Sequence, residues 1–98
     1  MKKSARKDGF LSVTFELPPV EASRAALCGD FNDWAHDANP MRQRKDGVFA
    51  TTLRLAPGEY RFRYLVDGER WMNDWNADRY DHNEFGSENS VVIVGDGA

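Results

Sequence analysis

Carboxylates are the reactive groups this sequence holds in greatest supply, with sixteen Asp and Glu among 98 residues. Hydrolysis by acid–base catalysis needs two of them across a cleft, one kept protonated by a raised pKa. Nothing in the sequence marks out such a pair. Asp74, Asp78, Asp81 and Glu84 gather in one polar stretch that invites comparison with a calcium site, yet the Asp-x-Asn/Asp-x-Asn/Asp-Gly order of an EF-hand loop is absent. His36 and His82 lie far apart without a cysteine or histidine at ligand spacing, which argues against zinc, and no serine or cysteine nucleophile motif occurs. No metal and no cofactor are expected. What remains is non-covalent chemistry carried by Trp34, Trp71 and Trp75. Tryptophan is more often packed in a core than offered to a partner. Trp34, however, sits in a loop of mostly polar residues, which points to an exposed ring.

Those rings need a frame, and the spacing of apolar residues supplies it. Leu11, Val13, Phe15 and Leu17 alternate with Ser12, Thr14 and Glu16, the pattern of a half-buried strand, which Pro18-Pro19 ends by removing two ladder donors. Ala25 to Cys28 offers a short strand anchored inward by Leu27 and stopped by Gly29-Asp30. Phe31 to Pro40 keeps neither period and reads as an ordered loop. Alternation returns with Phe49, Thr51, Leu53 and Leu55. Pro57-Gly58 suits a type II turn and predicts a hairpin into Tyr60, Phe62, Tyr64 and Val66. Asp67-Gly68 then predicts a two-residue hairpin turn before Arg70-Trp71-Met72. Asn73 to Asn89 reads as one long polar loop, a length that usually signals function, before the β-branched run Val91 to Val94. With no amphipathic segment of helical length, some six or seven short strands predict an all-β, immunoglobulin-like antiparallel sandwich.

The totals narrow the function classes. This length holds one domain: residues 1–9, with Lys2, Lys3, Arg6 and Lys7, are expected to form a flexible basic tail, and residues 10–98 the folded unit. Thirteen Lys and Arg against the sixteen acids give a net charge of −3, which removes the basic footprint of a nucleic-acid binder. Cys28 is the single cysteine, so no internal disulfide forms and a reducing cytoplasm is expected. No signal peptide or membrane-spanning run is evident, so no membrane partner is expected.

Three stretches carry a family resemblance: Gly29-Asp30-Phe31-Asn32-Asp33-Trp34, Phe62-Arg63-Tyr64-Leu65-Val66-Asp67-Gly68 with Trp71, and Phe85-Gly86-Ser87-Glu88-Asn89-Ser90-Val91. In this order, over about Phe10 to Val94, the sequence resembles the glycogen-binding, isoamylase N-terminal-like modules of carbohydrate-binding family 48, which include that of the AMP-activated protein kinase β subunit. The resemblance implies a sandwich of the early-set type that binds α-1,4-glucan such as glycogen, starch or maltooligosaccharide, without catalysis, beside a glucan-active enzyme. The catalytic barrels that accompany such modules need about 250 residues and do not fit this chain. It further implies that Trp34 and Trp71 are stacking platforms for pyranose rings, with Arg63, Phe85, Ser87 and Asn89 at the remaining contact positions. Arg63 replaces a lysine common in relatives, and its guanidinium fork is expected to donate to sugar hydroxyls.

Two departures leave choices open. Glu69 and Arg70 both stand between Asp-Gly and Trp71, one residue more than in the kinase-type pattern, and strand alternation turns that into a choice between two faces for Trp71. Trp75 occupies a place where many relatives have proline and reads as a third platform, a substitute for Trp71 or a core residue. Some members of the group have lost sugar binding, so the alternative is a protein–protein docking domain.

Overall fold

Strand alternation decides which side chains meet between two sheets, and the structure, a computed structural model, follows it over the described residues 1–5, 8–17, 19–84 and 86–95. The strands are β1 (Lys2–Ala5), β2 (Leu11–Leu17), β3 (Ala25–Gly29), β4 (Arg42–Gln43), β5 (Phe49–Leu55), β6 (Gly58–Val66), β7 (Arg70–Met72), β8 (Arg79–His82) and β9 (Glu88–Val94). One four-stranded sheet runs β1-β2-β5-β4; the other runs β3-β6-β9-β8, with β7 also paired to β6. Every pairing is antiparallel, which makes the fold the expected immunoglobulin-like sandwich.

Val13, Phe15 and Leu17 of β2 and Phe49 and Leu55 of β5 face Leu27, Phe62, Tyr64, Val66, Val92 and Val94 of the second sheet, all buried. Phe15 meets Phe62 edge-on with ring centroids 5.0 Å apart. Among the described residues two polar side chains are buried, Asp74 and Ser90, and the Ser90 hydroxyl accepts the Asp74 N–H at 2.9 Å. The Tyr64 hydroxyl donates to the buried Asp74 carboxylate at 2.6 Å, and Asp74 also accepts the backbone N–H of Asn76. Burial beside that carboxylate pushes the Tyr64 pKa well above the phenolic range.

Four expectations change. Pro57-Gly58 does not close a hairpin: Leu55 pairs with Leu11 in the first sheet while Gly58 pairs with Val94 in the second, so the chain crosses the sandwich there. Crossing lets the apolar sides of β5 and β6 face each other across the core, and Tyr60 braces the step by donating to the Ala56 carbonyl at 2.7 Å. Residues 2–5, expected within a flexible tail, form β1 along the edge of β2. Lys3 ties this strand across the sandwich by donating to Asp78, at 2.5 Å, and to the Ile93 carbonyl. The stretch expected as one long loop contains β8 and the start of β9. Lastly, Val66 pairs with Arg70, so the turn between β6 and β7 has three residues, Asp67 to Glu69, instead of two. Asp67 and Gly68 both adopt positive φ there.

Candidate functional site

The outer face of the second sheet departs from the polar surface expected of a sandwich. Alternation along β6 sends Phe62, Tyr64 and Val66 inward and Leu65 outward, yet Leu65 is buried. Together with Ala26 and Cys28, the outward residues of β3, it makes a small second apolar cluster, and the half-buried Trp34 packs against it. Burial raises the Cys28 thiol pKa.

The local sequence explains how Trp34 reaches that seat. A side chain at Gly29 would bring a Cβ within 2.5 Å of the Arg61 carbonyl oxygen and 2.8 Å of the Phe31 ring, so only glycine fits where β3 ends. Phe31 turns toward the core, its ring 5.6 Å from that of Phe15 and 5.9 Å from that of Tyr60. Asn32 knits the loop: its Oδ1 accepts the Gly29 N–H, and its Nδ2 donates to the Leu27 carbonyl and to Asn39. Asp33 and Trp34 then take left-handed backbone conformations, and the Trp34 N–H closes the knot on the Gly29 carbonyl.

Trp71 arrives from the opposite side of β6. The three-residue turn places it directly across from Leu65, which settles the choice of face: Trp71 shares the outer surface and is 41% exposed. The two indoles lie 6.2 Å apart at an interplanar angle of 61°, with His36 edge-on to Trp71. They flank an open depression of about 700 Å³ whose lining also includes Arg61, Arg63, Ser87 and Asn89. Five of the expected contact residues, Trp34, Arg63, Trp71, Ser87 and Asn89, therefore converge on one place.

The polar half of the lining is more tightly tied than the sequence suggests. The Arg63 fork points at the protein: Nε donates to the Glu88 carbonyl at 2.9 Å, and Nη2 donates to the same carbonyl and to Ser87 Oγ. Two of its three nitrogens are thus engaged by the protein, while the side chain still lines the depression. Its first task is to hold the Ser87–Glu88 backbone beside β6, which a lysine could do only as a point charge. Asn83 caps the same turn through the Ser87 backbone N–H and hydroxyl and approaches Asn89 Oδ1 at 3.4 Å.

Asp30, Arg61, His82, Asn83 and Glu84 line the depression without having been singled out as contacts. Asp30 is legible afterwards as part of the Gly-Asp-Phe-Asn string, whereas Asn83 and Glu84 carry no local signal. Trp75 is 69% exposed but does not line the depression, so it is neither core nor a substitute for Trp71. Phe85 lies outside the described residues. The acidic stretch disperses into separate duties: Asp74 caps Tyr64, Asp78 binds Lys3 and the Ile93 N–H, and Asp81 pairs with Arg79. Among the described residues no group of three or more His, Cys, Asp or Glu is placed to hold a metal.

Two indoles set at an angle above a row of amides, hydroxyls and fixed cations give this β-sandwich a face with the features of a binding site: flat apolar platforms beside a few polar groups. Residues 11–97 match the family described as the glycogen recognition site of AMP-activated protein kinase, and the chain belongs to that family. Protein PTST homolog 2, a chloroplastic protein of Arabidopsis thaliana, is 33% identical over 78% of this chain and 14% of its own length. A 1,4-alpha-glucan branching enzyme of Rhizobium johnstonii is 45% identical over 63% of the chain and 9% of the enzyme. The chloroplastic phosphoglucan phosphatase LSF1 of Arabidopsis thaliana is 30% identical over 87% of the chain and 14% of that protein. The chain thus spans a small fraction of these relatives' lengths.

Proposed function

We propose that the depression between Trp34 and Trp71 is where this module takes hold of α-glucan, each indole lying against the axial C–H face of a glucose ring. The observation that carries the reading is the convergence of the two indoles from opposite sides of β6, 6.2 Å apart and inclined at 61°. An angle between platforms suits a polymer that curves. The charges of the lining support a neutral ligand, since Asp30 and Glu84 oppose Arg61 and Arg63. Asn89 offers an amide donor and acceptor to a vicinal diol, and Ser87 offers a hydroxyl held in place by Arg63 and Asn83. We also infer that the chain works without catalysis, beside a glucan-active enzyme, as the family and the branching-enzyme relatives suggest. The buried lone Cys28 suits a reducing compartment such as the cytoplasm.

An open face that meets few sugar rings predicts a dissociation constant of roughly micromolar to millimolar for maltoheptaose. Tryptophan fluorescence should shift on titration, and migration through glycogen gels should be retarded. Trp34→Ala and Trp71→Ala should each abolish both effects. Wild-type protein that migrates unretarded and shows no shift sinks the proposal. A second reading, docking on a partner protein, is favoured by one observation: the exposed Trp75 stands outside the depression. A stable complex recovered after glucan digestion and lost in Trp75→Ala would support it.

A further inference from the structure

Trp34 holds a backbone conformation that bulky residues seldom adopt, with φ of 58° directly after Asp33 at 56°. Strain of this kind persists only where the surroundings over-determine it. The backbone is closed by the Trp34 N–H on the Gly29 carbonyl, and one side chain ties the ring itself to the sheet. Asp30 Oδ1 accepts the indole N–H of Trp34 at 3.1 Å, and Asp30 Oδ2 accepts the backbone N–H of Arg61 at 2.8 Å. The ladder between β3 and β6 ends at the pair Gly29 and Phe62, so the Arg61 N–H is the donor that the next residue of β3 would have matched had the strand continued. The carboxylate takes over that place and spends its other oxygen on the ring.

We propose that Asp30 is the positioning residue of the sugar-binding face: it fixes the rotation of the Trp34 indole relative to β6, and through β6 its angle to Trp71. The inference rests on the glucan reading of the depression, but its mechanism is independent of it. Each of the two hydrogen bonds is charge-assisted, the stronger class of protein hydrogen bond. The bond to Arg61 makes the anchor part of the sheet, so the ring is referenced to the same strand whose Leu65 pairs with Trp71. An indole whose N–H is already engaged keeps one edge toward the protein. Its faces are left for the apolar cluster on one side and a ligand on the other.

The test is a double-mutant cycle with a spectroscopic arm. Maltoheptaose affinity is measured by calorimetry for wild type, Asp30→Ala, Asp30→Asn, Trp34→Phe and the double variant Asp30→Ala/Trp34→Phe, with far-UV circular dichroism confirming that each is folded. Asp30→Ala is expected to weaken binding about tenfold. Asp30→Asn, which keeps a single acceptor for two donors, should fall between. Phenylalanine retains an aromatic face but has no N–H, so in the Trp34→Phe background removal of Asp30 should cost less than about twofold. Equal losses in both backgrounds would show that Asp30 merely supports the fold, and the proposal would be overturned.

The Trp34 indole N–H resonance, read by NMR without sugar, provides the second arm. In Asp30→Asn it should shift and lose protection from solvent exchange, and an unchanged, protected resonance overturns the proposal whatever the glucan does. Wild type that ignores maltoheptaose while its indole N–H responds to Asp30→Asn would instead sink the glucan reading and leave the positioning role standing.

Discussion

The two sheets of this sandwich turn very different faces to solvent. On the first sheet the outward residues of β2 and β5 include Ser12, Thr14, Thr52 and Arg54, and Thr14 and Thr52 simply bond each other at 2.9 Å across the pair. On the second, the outward positions of β3 and β6 include Ala26, Cys28 and Leu65, an apolar seat that solvent would penalise if nothing covered it. Trp34 is the cover. A residue that looked like a choice between core and ligand platform therefore serves both ends, with one side packed on the cluster and the remainder open to the depression. Sites of this type can arise where a sheet carries a second, outward core, because packing energy then holds the exposed ring in place.

This contrast can be broken deliberately. Gly29→Ala should have the largest effect, destabilising the fold by about 3 kcal/mol, because overpacking against backbone has no side chain to move aside. The Cβ would stand 2.5 Å from the Arg61 oxygen. Urea unfolding measures it, and a loss below about 1 kcal/mol would refute the claim that the loop entry has no room. Trp34→Ala should cost about 2 kcal/mol by uncovering Ala26, Cys28 and Leu65, in addition to its effect on sugar binding. A variant that loses affinity with unchanged stability would show that the outward cluster is incidental. Thr52→Ala on the first sheet should fall within about 0.5 kcal/mol and leave maltoheptaose affinity unchanged.

The smallest effect concerns acid. Backbone N–H donors from Ser23 and Arg24 hold the Asp67 carboxyl below its ordinary range at the turn that sets the face of Trp71. Because the folded-state pKa is the lower one, this contribution is present above the usual Asp value near 3.8 and is lost as pH falls through the folded-state value. Asp67→Asn should therefore flatten the fall of melting temperature on the acid side while leaving the neutral side little altered in slope. An acid limb of unchanged steepness would show that this turn contributes nothing to the pH dependence.

Much of this was legible beforehand because alternation is a local property. Leu11 to Leu17, Phe49 to Leu55 and Tyr60 to Val66 place their inward residues as their spacing demands. The strands that escaped reading are those without an apolar period: β1 is Lys-Lys-Ser-Ala, β4 is Arg-Gln and β8 is Arg-Tyr-Asp-His, held by backbone pairing and by ion pairs such as Lys3 with Asp78 and Arg79 with Glu59. At the site, the two indoles and Asn89 were visible through motif order. Asn83 and the inward turn of the Arg63 fork were not, since both depend on where the Ser87–Glu88 backbone passes β6.

By itself, the order of residues determined the sandwich, the inward side of its long strands and the glycine-led string that presents Trp34, since each follows from neighbours within a few positions. Tertiary structure decided that β5 and β6 face each other across the core and that Trp34 and Trp71, far apart in the sequence, meet over Leu65. The physical reason is that a ring's partner is chosen by which strand lies beside which, and strand order is set by the competition of all apolar faces for one interior.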